Sequence, residues 1–217
     1  MRLRDHGLSL ALVALTAGCF AGQLLAGHRV DNADRAEHGR PSVSFVEYMA
    51  SGHSLEATFE NWESEFLQMA VFVVLSVRLR QKGSSESKGE GPQEVDEDPR
   101  LHRDDPDAPW PVRRGGWVLV LYEHSLSLAF LLIFLATFVG HALGGVRKLA
   151  EERAMHGEPP ESLLDYVASA DFWFESFQNW QSEFLSLFAV VTLSIVLRQR
   201  GSPQSKPVAA PHRETGG

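Results

Sequence analysis

The apolar residues of this chain gather into four stretches, with the charged residues between them. Residues 8–26 and 118–143 are the long ones, and as helices at ~1.5 Å per residue each would cross a hydrocarbon core of ~30 Å. Residues 66–79 and 184–197 are only 14 residues each. They span only if the polar-aromatic segments before them, 59–65 and 172–183, enter the membrane too; otherwise they read as core helices of a soluble fold. The pattern predicts an all-α polytopic membrane protein with four transmembrane helices. These form two same-orientation two-helix repeats, each with a short outer interfacial helix.

The repeat is written in the residues. Positions 6–84 align without a gap to 124–202, and 34 of the 79 aligned pairs are identical. His6-Gly-Leu-Ser-Leu-Ala11 returns as His124-Ser-Leu-Ser-Leu-Ala129. Asn61-Trp-Glu-Ser-Glu-Phe-Leu67 returns as Asn179-Trp-Gln-Ser-Glu-Phe-Leu185, and Leu79-Arg-Gln-Lys-Gly-Ser84 as Leu197-Arg-Gln-Arg-Gly-Ser202. Divergence from one duplicated unit explains such self-similarity at a fixed offset. The implied organisation is a first two-span repeat (1–84), an acidic disordered cytoplasmic linker (85–112), a second repeat (113–202) and a disordered tail (203–217). The linker and tail are rich in Ser, Gly, Pro and acidic residues and poor in apolar ones.

Basic residues set the orientation. Arg2 and Arg4 precede the first span, Arg78, Arg80 and Lys82 end the second, Arg113 and Arg114 precede the third, and Arg198 and Arg200 end the fourth. With both termini cytoplasmic, 14 of the 20 Lys and Arg residues fall inside. The predicted location is the bacterial cytoplasmic (inner) membrane, multi-pass. The N-terminus also imitates a secretion signal whose end, Leu15-Thr-Ala-Gly-Cys19, resembles a lipoprotein cleavage box with Cys19 as the acylated residue. The repeat argues against that. Residues 8–26 align with wholly internal 126–144, where Thr137 stands in place of Cys19.

In the outer loops, Pro41 and Pro159 lead to Ser44-x-x-Glu47 and Ser162-x-x-Asp165, pairs that start helices. In the second half this runs into Phe172, Trp173, Phe174, Phe177 and Trp180, an aromatic belt suited to a membrane interface. Gly18-x-x-x-Gly22 and Ala136-x-x-x-Gly140 read as a close-packing seam between halves or protomers.

The Asn-Trp-x-Ser-Glu box supplies the candidate polar membrane site. Asn61, Ser64 and Glu65 share one helix face at i, i+3 and i+4, as do Asn179, Ser182 and Glu183. Glu63 becomes Gln181, so that carboxylate is expected to be dispensable. Glu183 stands 15 residues before Arg198, about 22 Å along a helix, which puts it toward the outer leaflet. An ionisable group there is costly unless it faces protein or water, so it serves as a protonatable or cation site, or as a paired interfacial carboxylate. His6 and His124, beside Asp5 and Glu123, form a candidate inner-interface pair, read as interfacial anchors or headgroup partners, with pH sensing as the alternative. His38-Gly39 and His156-Gly157 also recur, with no metal-ligand spacing around them.

Composition narrows the partners. The net charge of −8 argues against nucleic acid. The single Cys excludes an internal disulfide, and no catalytic set, phosphate loop or dinucleotide fingerprint occurs. No cofactor is expected; the lipid bilayer and a second copy are the expected partners. The duplicated unit, the paired Asn-Trp-x-Ser-Glu-Phe boxes and their Leu-Arg-Gln-(Lys/Arg)-Gly-Ser ends resemble a family of uncharacterised bacterial integral membrane proteins. The resemblance implies architecture and no activity. The expected function is that of a non-enzymatic structural or stress-related membrane protein. The alternative is a small proton or cation transporter or channel working through Glu65 and Glu183.

Overall fold

A computed structural model describes residues 3–216, with the side chains of residues 3 and 4 left aside; Arg2, used above for orientation, lies outside the described residues. Every regular element among them is helical. The first half holds α1 (Gly7–Glu37), α2 (Phe45–Met49) and α3 (Gly52–Arg78). After the connecting segment come α4 (Trp110–Arg114) and α5 (Gly116–Glu123), then α6 (Ser125–His156), α7 (Leu163–Ala168) and α8 (Ala170–Leu193). Helices α6, α7 and α8 each begin 118 residues after α1, α2 and α3.

The matching boundaries have matching chemistry. Ser44 caps α2 by accepting from the Glu47 N–H at 3.3 Å, and the Glu47 carboxylate accepts in return from the Ser44 N–H. Ser162 caps α7 by accepting from the Asp165 N–H at 3.2 Å. Each oxygen satisfies a donor that the first turn leaves open. Helices α1 and α6 both stop at a His-Gly pair. Gly39 and Gly157 take φ of +67° and +72°, a left-handed conformation that glycine adopts without steric cost.

Two of the apolar stretches differ from the sequence expectation. Residues 118–143 are not one helix, because α5 ends at His124 and α6 begins afresh. The hydroxyls of Ser125 and Ser127 bond back to the carbonyls of Tyr122 and His124 at 2.8 and 3.0 Å, a local alternative to the helical ladder. Helix α8 ends at Leu193, so residues 194–197 of the fourth stretch fall outside it, 194–196 in a turn.

Among the described residues two helices, α1 and α6, are long and apolar enough to cross a membrane, where four were expected. By length and composition, two of the four expected spans are found. Helices α3 and α8 fall short because their first halves are polar: Glu56, Glu60, Glu63 and Glu65 in one, Gln178, Asn179, Gln181 and Glu183 in the other. The apolar windows of α1 and α6 are 0% and 17% buried within the chain. Leu8, Leu12, Leu15, Leu126 and Leu132 are all more than half exposed.

The chain divides into two compact units, each built from both sequence halves. The first comprises residues 1–61 and 137–175, the second 62–136 and 176–217. The first unit has a small core of Ala142, Tyr166 and Phe172, edged by Phe138, Val146, Leu149, Val167 and Trp173. Phe138 meets Phe172 edge to face at 5.4 Å between centroids, the favoured aromatic geometry. In the same unit the tyrosines of α2 and α7 each cover a glycine. A Cβ on Gly27 would overlap the Tyr48 hydroxyl, and one on Gly145 would overlap that of Tyr166. The glycines and the tyrosines are both repeat-related pairs.

Of the glycines in the expected small-residue seam, Gly140 meets the other half of the chain. Gly18 and Gly22 have open space where a Cβ would point, and Gly140 receives the ring of Phe59. Close backbone approach falls instead at Gly144 against Glu56 and at Gly52 against Lys148.

In the second unit, Phe66 packs on Phe130 and Phe134 on Trp180, both at 6.4 Å. Gln68 donates to the Glu183 carbonyl at 2.6 Å and to the Ser186 hydroxyl at 3.2 Å. Residues 85–112 hold two single 3₁₀ turns, Glu94–Asp96 and Pro99–His102, and part of α4. In the tail, Lys206 donates to the carbonyls of Pro211, His212 and Glu214.

Candidate functional site

The two Asn-Trp-x-Ser-Glu boxes do not occupy equivalent surroundings. Asn61 is exposed and its amide donates to its own helix at the Ala57 carbonyl, 2.8 Å away. Ser64 is buried and Glu65 is exposed. In the second copy Asn179 and Glu183 are half-buried, and Ser182 is exposed with its hydroxyl on the Asn179 carbonyl at 2.9 Å. The buried carboxylate of the box is Glu63, which the sequence comparison set aside. It is fully buried and accepts from the Trp180 indole N–H at 3.0 Å, a bond from one copy of the box to the other. His6 and His124 are both exposed, and His124 serves as the C-cap of α5. Cys19 is exposed on α1.

A second set of polar residues converges in the first unit, drawn from four helices. Glu56 comes from the first turns of α3, His141 and Lys148 from α6, Tyr166 from α7 and Glu175 from the start of α8. Lys148 Nζ donates to Glu56 Oε2 at 2.7 Å. The Tyr166 hydroxyl stands 3.4 Å from Glu56 Oε1 and 3.4 Å from Glu175 Oε2. His141 Nε2 lies 3.7 Å from Glu175 Oε2, and its ring stacks on Phe172 at 4.8 Å. His141 is fully buried and Glu56 is 5% exposed.

Beside the cluster opens a cavity of about 380 Å³ lined among others by Glu56, Lys148, Glu152, Tyr166, Asp171 and Glu175. Arg153 closes one side, held by Glu161 at 2.6 Å. Glu56 and Tyr166 lie outside the apolar runs. Burial pushes the Glu56 carboxyl above its ordinary value, an effect that the hydrogen bond and charge of Lys148 oppose. The Tyr166 phenol is pushed up by burial and by the charges of Glu175 and Glu56. Among the described residues no group of three or more His, Cys, Asp and Glu is arranged to hold a metal ion.

The family model Domain of unknown function (DUF6766) matches residues 1–217. The chain belongs to that family. No curated protein and no solved structure matches it. What sets the DUF6766 chain's polar cluster apart is where it falls in the duplication. Only Tyr166 has an identical counterpart, Tyr48; Glu56 pairs with Phe174, His141 with Gln23, Lys148 with Val30 and Glu175 with Ala57. A search for residues kept in both halves passes over all four. The signal that finds them is the reverse one: aligned positions at which one half has gained a charge.

Proposed function

We propose that this chain is a non-enzymatic integral protein of the bacterial cytoplasmic membrane, with a structural or stress-related role. The observation that carries the membrane reading is the nearly unburied apolar surface of α1 and α6, whose windows are 0% and 17% covered by the chain itself. A core helix of a soluble protein buries such a surface. At ~25 cal/mol per Å² of apolar area, leaving it in water is unfavourable enough to require lipid or another apolar partner. In this reading α3 and α8 complete the two hairpins, since Val74, Val77, Leu185 and Phe188 are also more than half exposed. Both termini and the 85–112 connection are then cytoplasmic, as the basic residues at the span ends favour. The bilayer is the main partner, and the open face at Gly18 and Gly22 suits a second copy.

Transport through Glu65 and Glu183 has less support. Glu65 is exposed rather than enclosed, and the enclosed carboxylates, Glu56 and Glu63, are each hydrogen-bonded to a neighbour. Carboxylates held by neighbouring donors in this way suit a framework.

The test is alkaline carbonate extraction of membranes from cells expressing the full chain, combined with reporter fusions after residues 40, 84, 157 and 217. Retention in the pellet, with 84 and 217 reporting inside and 40 and 157 outside, is the expected result. Release into the supernatant overturns the membrane reading, and 84 and 40 on the same side overturns the hairpins.

A further inference from the structure

The five-residue cluster carries an odd charge as long as His141 is neutral. Glu56 and Glu175 then contribute two negative charges against the single ammonium of Lys148. Tyr166 stands between the two carboxylates at 3.4 Å from each. A phenol has one hydrogen to donate, so it satisfies one of them at a time. Other charged side chains border the cluster: Arg153, bound to Glu161, and Asp171 line the same cavity. Glu60 raises the negative potential at Glu56 from α3, and Glu152 faces Lys148 from α6. On its other face His141 meets the ring of Phe172. A proton on the imidazole turns the 3.7 Å approach to Glu175 into an ion pair and balances two negative with two positive charges. Paired buried charge is tolerated where an uncompensated one is not.

We propose that this cluster is a proton-binding site. One exchangeable proton, held on the His141–Glu175 pair, governs how firmly α7 and the first turns of α3 and α8 hold to α6. A proton that the pair holds more tightly in the folded chain than free side chains do in the unfolded one confers stability that is present at low pH. It is lost as pH rises through the folded value. Histidine beside a carboxylate is the side chain whose titration falls in the physiological range.

The duplication supplies well-matched variants. His141→Gln installs the residue found at the equivalent position 23, and Glu175→Ala the residue found at position 57. Full-length protein in detergent micelles, labelled with ¹⁵N at its nine histidines, would be titrated by NMR from pH 5 to 8.5. The unfolding midpoint would be followed over the same range. Expected is one histidine resonance that titrates in the wild type, is missing in H141Q and titrates at lower pH in E175A. The wild-type midpoint falls across that titration, and the fall is lost in H141Q. If H141Q fails to fold, the shifted titration in E175A still decides. A His141 resonance that does not titrate, one unmoved by E175A, or parallel midpoint curves in wild type and H141Q overturns the proposal.

Discussion

Gly145→Ala isolates one contact of the first unit. A methyl at this position would overlap Tyr166 Oη and lie 2.5 Å from Cζ and 2.7 Å from Cε1. The tyrosine ring must therefore move, and its hydroxyl leaves the place between Glu56 and Glu175. Forcing a group into a packed site costs ~1–3 kcal/mol. Weakening the hydroxyl's bonds to charged groups adds ~1–2 kcal/mol. Better helix propensity of Ala over Gly returns ~1 kcal/mol. The net is a destabilisation of about 1–4 kcal/mol. Gly27→Ala meets the same overlap with Tyr48, whose hydroxyl contacts the ring nitrogen of His53 at 3.0 Å, and should cost less. Gly22→Ala meets nothing within 4 Å and should be neutral, or stabilising by up to ~1 kcal/mol. Unfolding in mixed micelles, followed by circular dichroism, gives all three values. Equal effects of G145A and G22A would refute the assignment of the glycine–tyrosine contact.

Lys148→Met leaves the Glu56 carboxylate buried without its ammonium and should destabilise the chain by ~1–3 kcal/mol, discounted because Lys148 is 30% exposed. Glu56 has a raised folded pKa, so its contribution is complete below its ordinary value of 4.5 and is lost as pH rises through the folded value. The K148M deficit should therefore shrink on acidification, and a pH-independent deficit measured by the same unfolding assay would count against it. Glu63→Ala removes the carboxylate that accepts from the Trp180 indole N–H and should cost ~1–3 kcal/mol with a shift in tryptophan emission. Glu65→Gln, at an exposed position, should leave both unchanged. Glu47 has a lowered pKa, caused first by its hydrogen bond with Ser44. Its contribution is present above its ordinary value of 4.5 and lost as pH falls, and Ser44→Ala should remove that acid sensitivity from a urea or thermal melt.

Local structure was legible where it depends on local chemistry. The Ser44 and Ser162 caps, the His-Gly stops and the shared helix starts follow from residues a few positions apart. The break before α6 was visible as well, because its counterpart α1 starts directly after His6. Apolarity alone hid it, since residues 118–122 are apolar too. The polar cluster depends on which faces of α3, α6, α7 and α8 meet, and no periodicity in one helix states that. Glu63 shows the same limit. Its replacement by Gln181 suggested a dispensable group, yet it is buried and accepts from Trp180, 117 residues away.

Conservation and divergence between the halves therefore carry different information. The kept residues, Gly27 and Gly145, Tyr48 and Tyr166, Ser44 and Ser162, build the same local frame twice. The frame places a tyrosine hydroxyl over a helical glycine in each half, and what surrounds that hydroxyl is where the halves part. Around Tyr48 the partner is His53; around Tyr166 it is a pair of carboxylates with Lys148 and His141 behind them. A duplicated frame tolerates such a difference because either copy can lose its original polar partners while the other still specifies the fold. The charge network occurs once because it is assembled across the duplication, with Glu56 from the first half and the other four residues from the second. Two separated copies of one half could not rebuild it. Each would hold either the lone carboxylate or the histidine, lysine, tyrosine and second carboxylate without it.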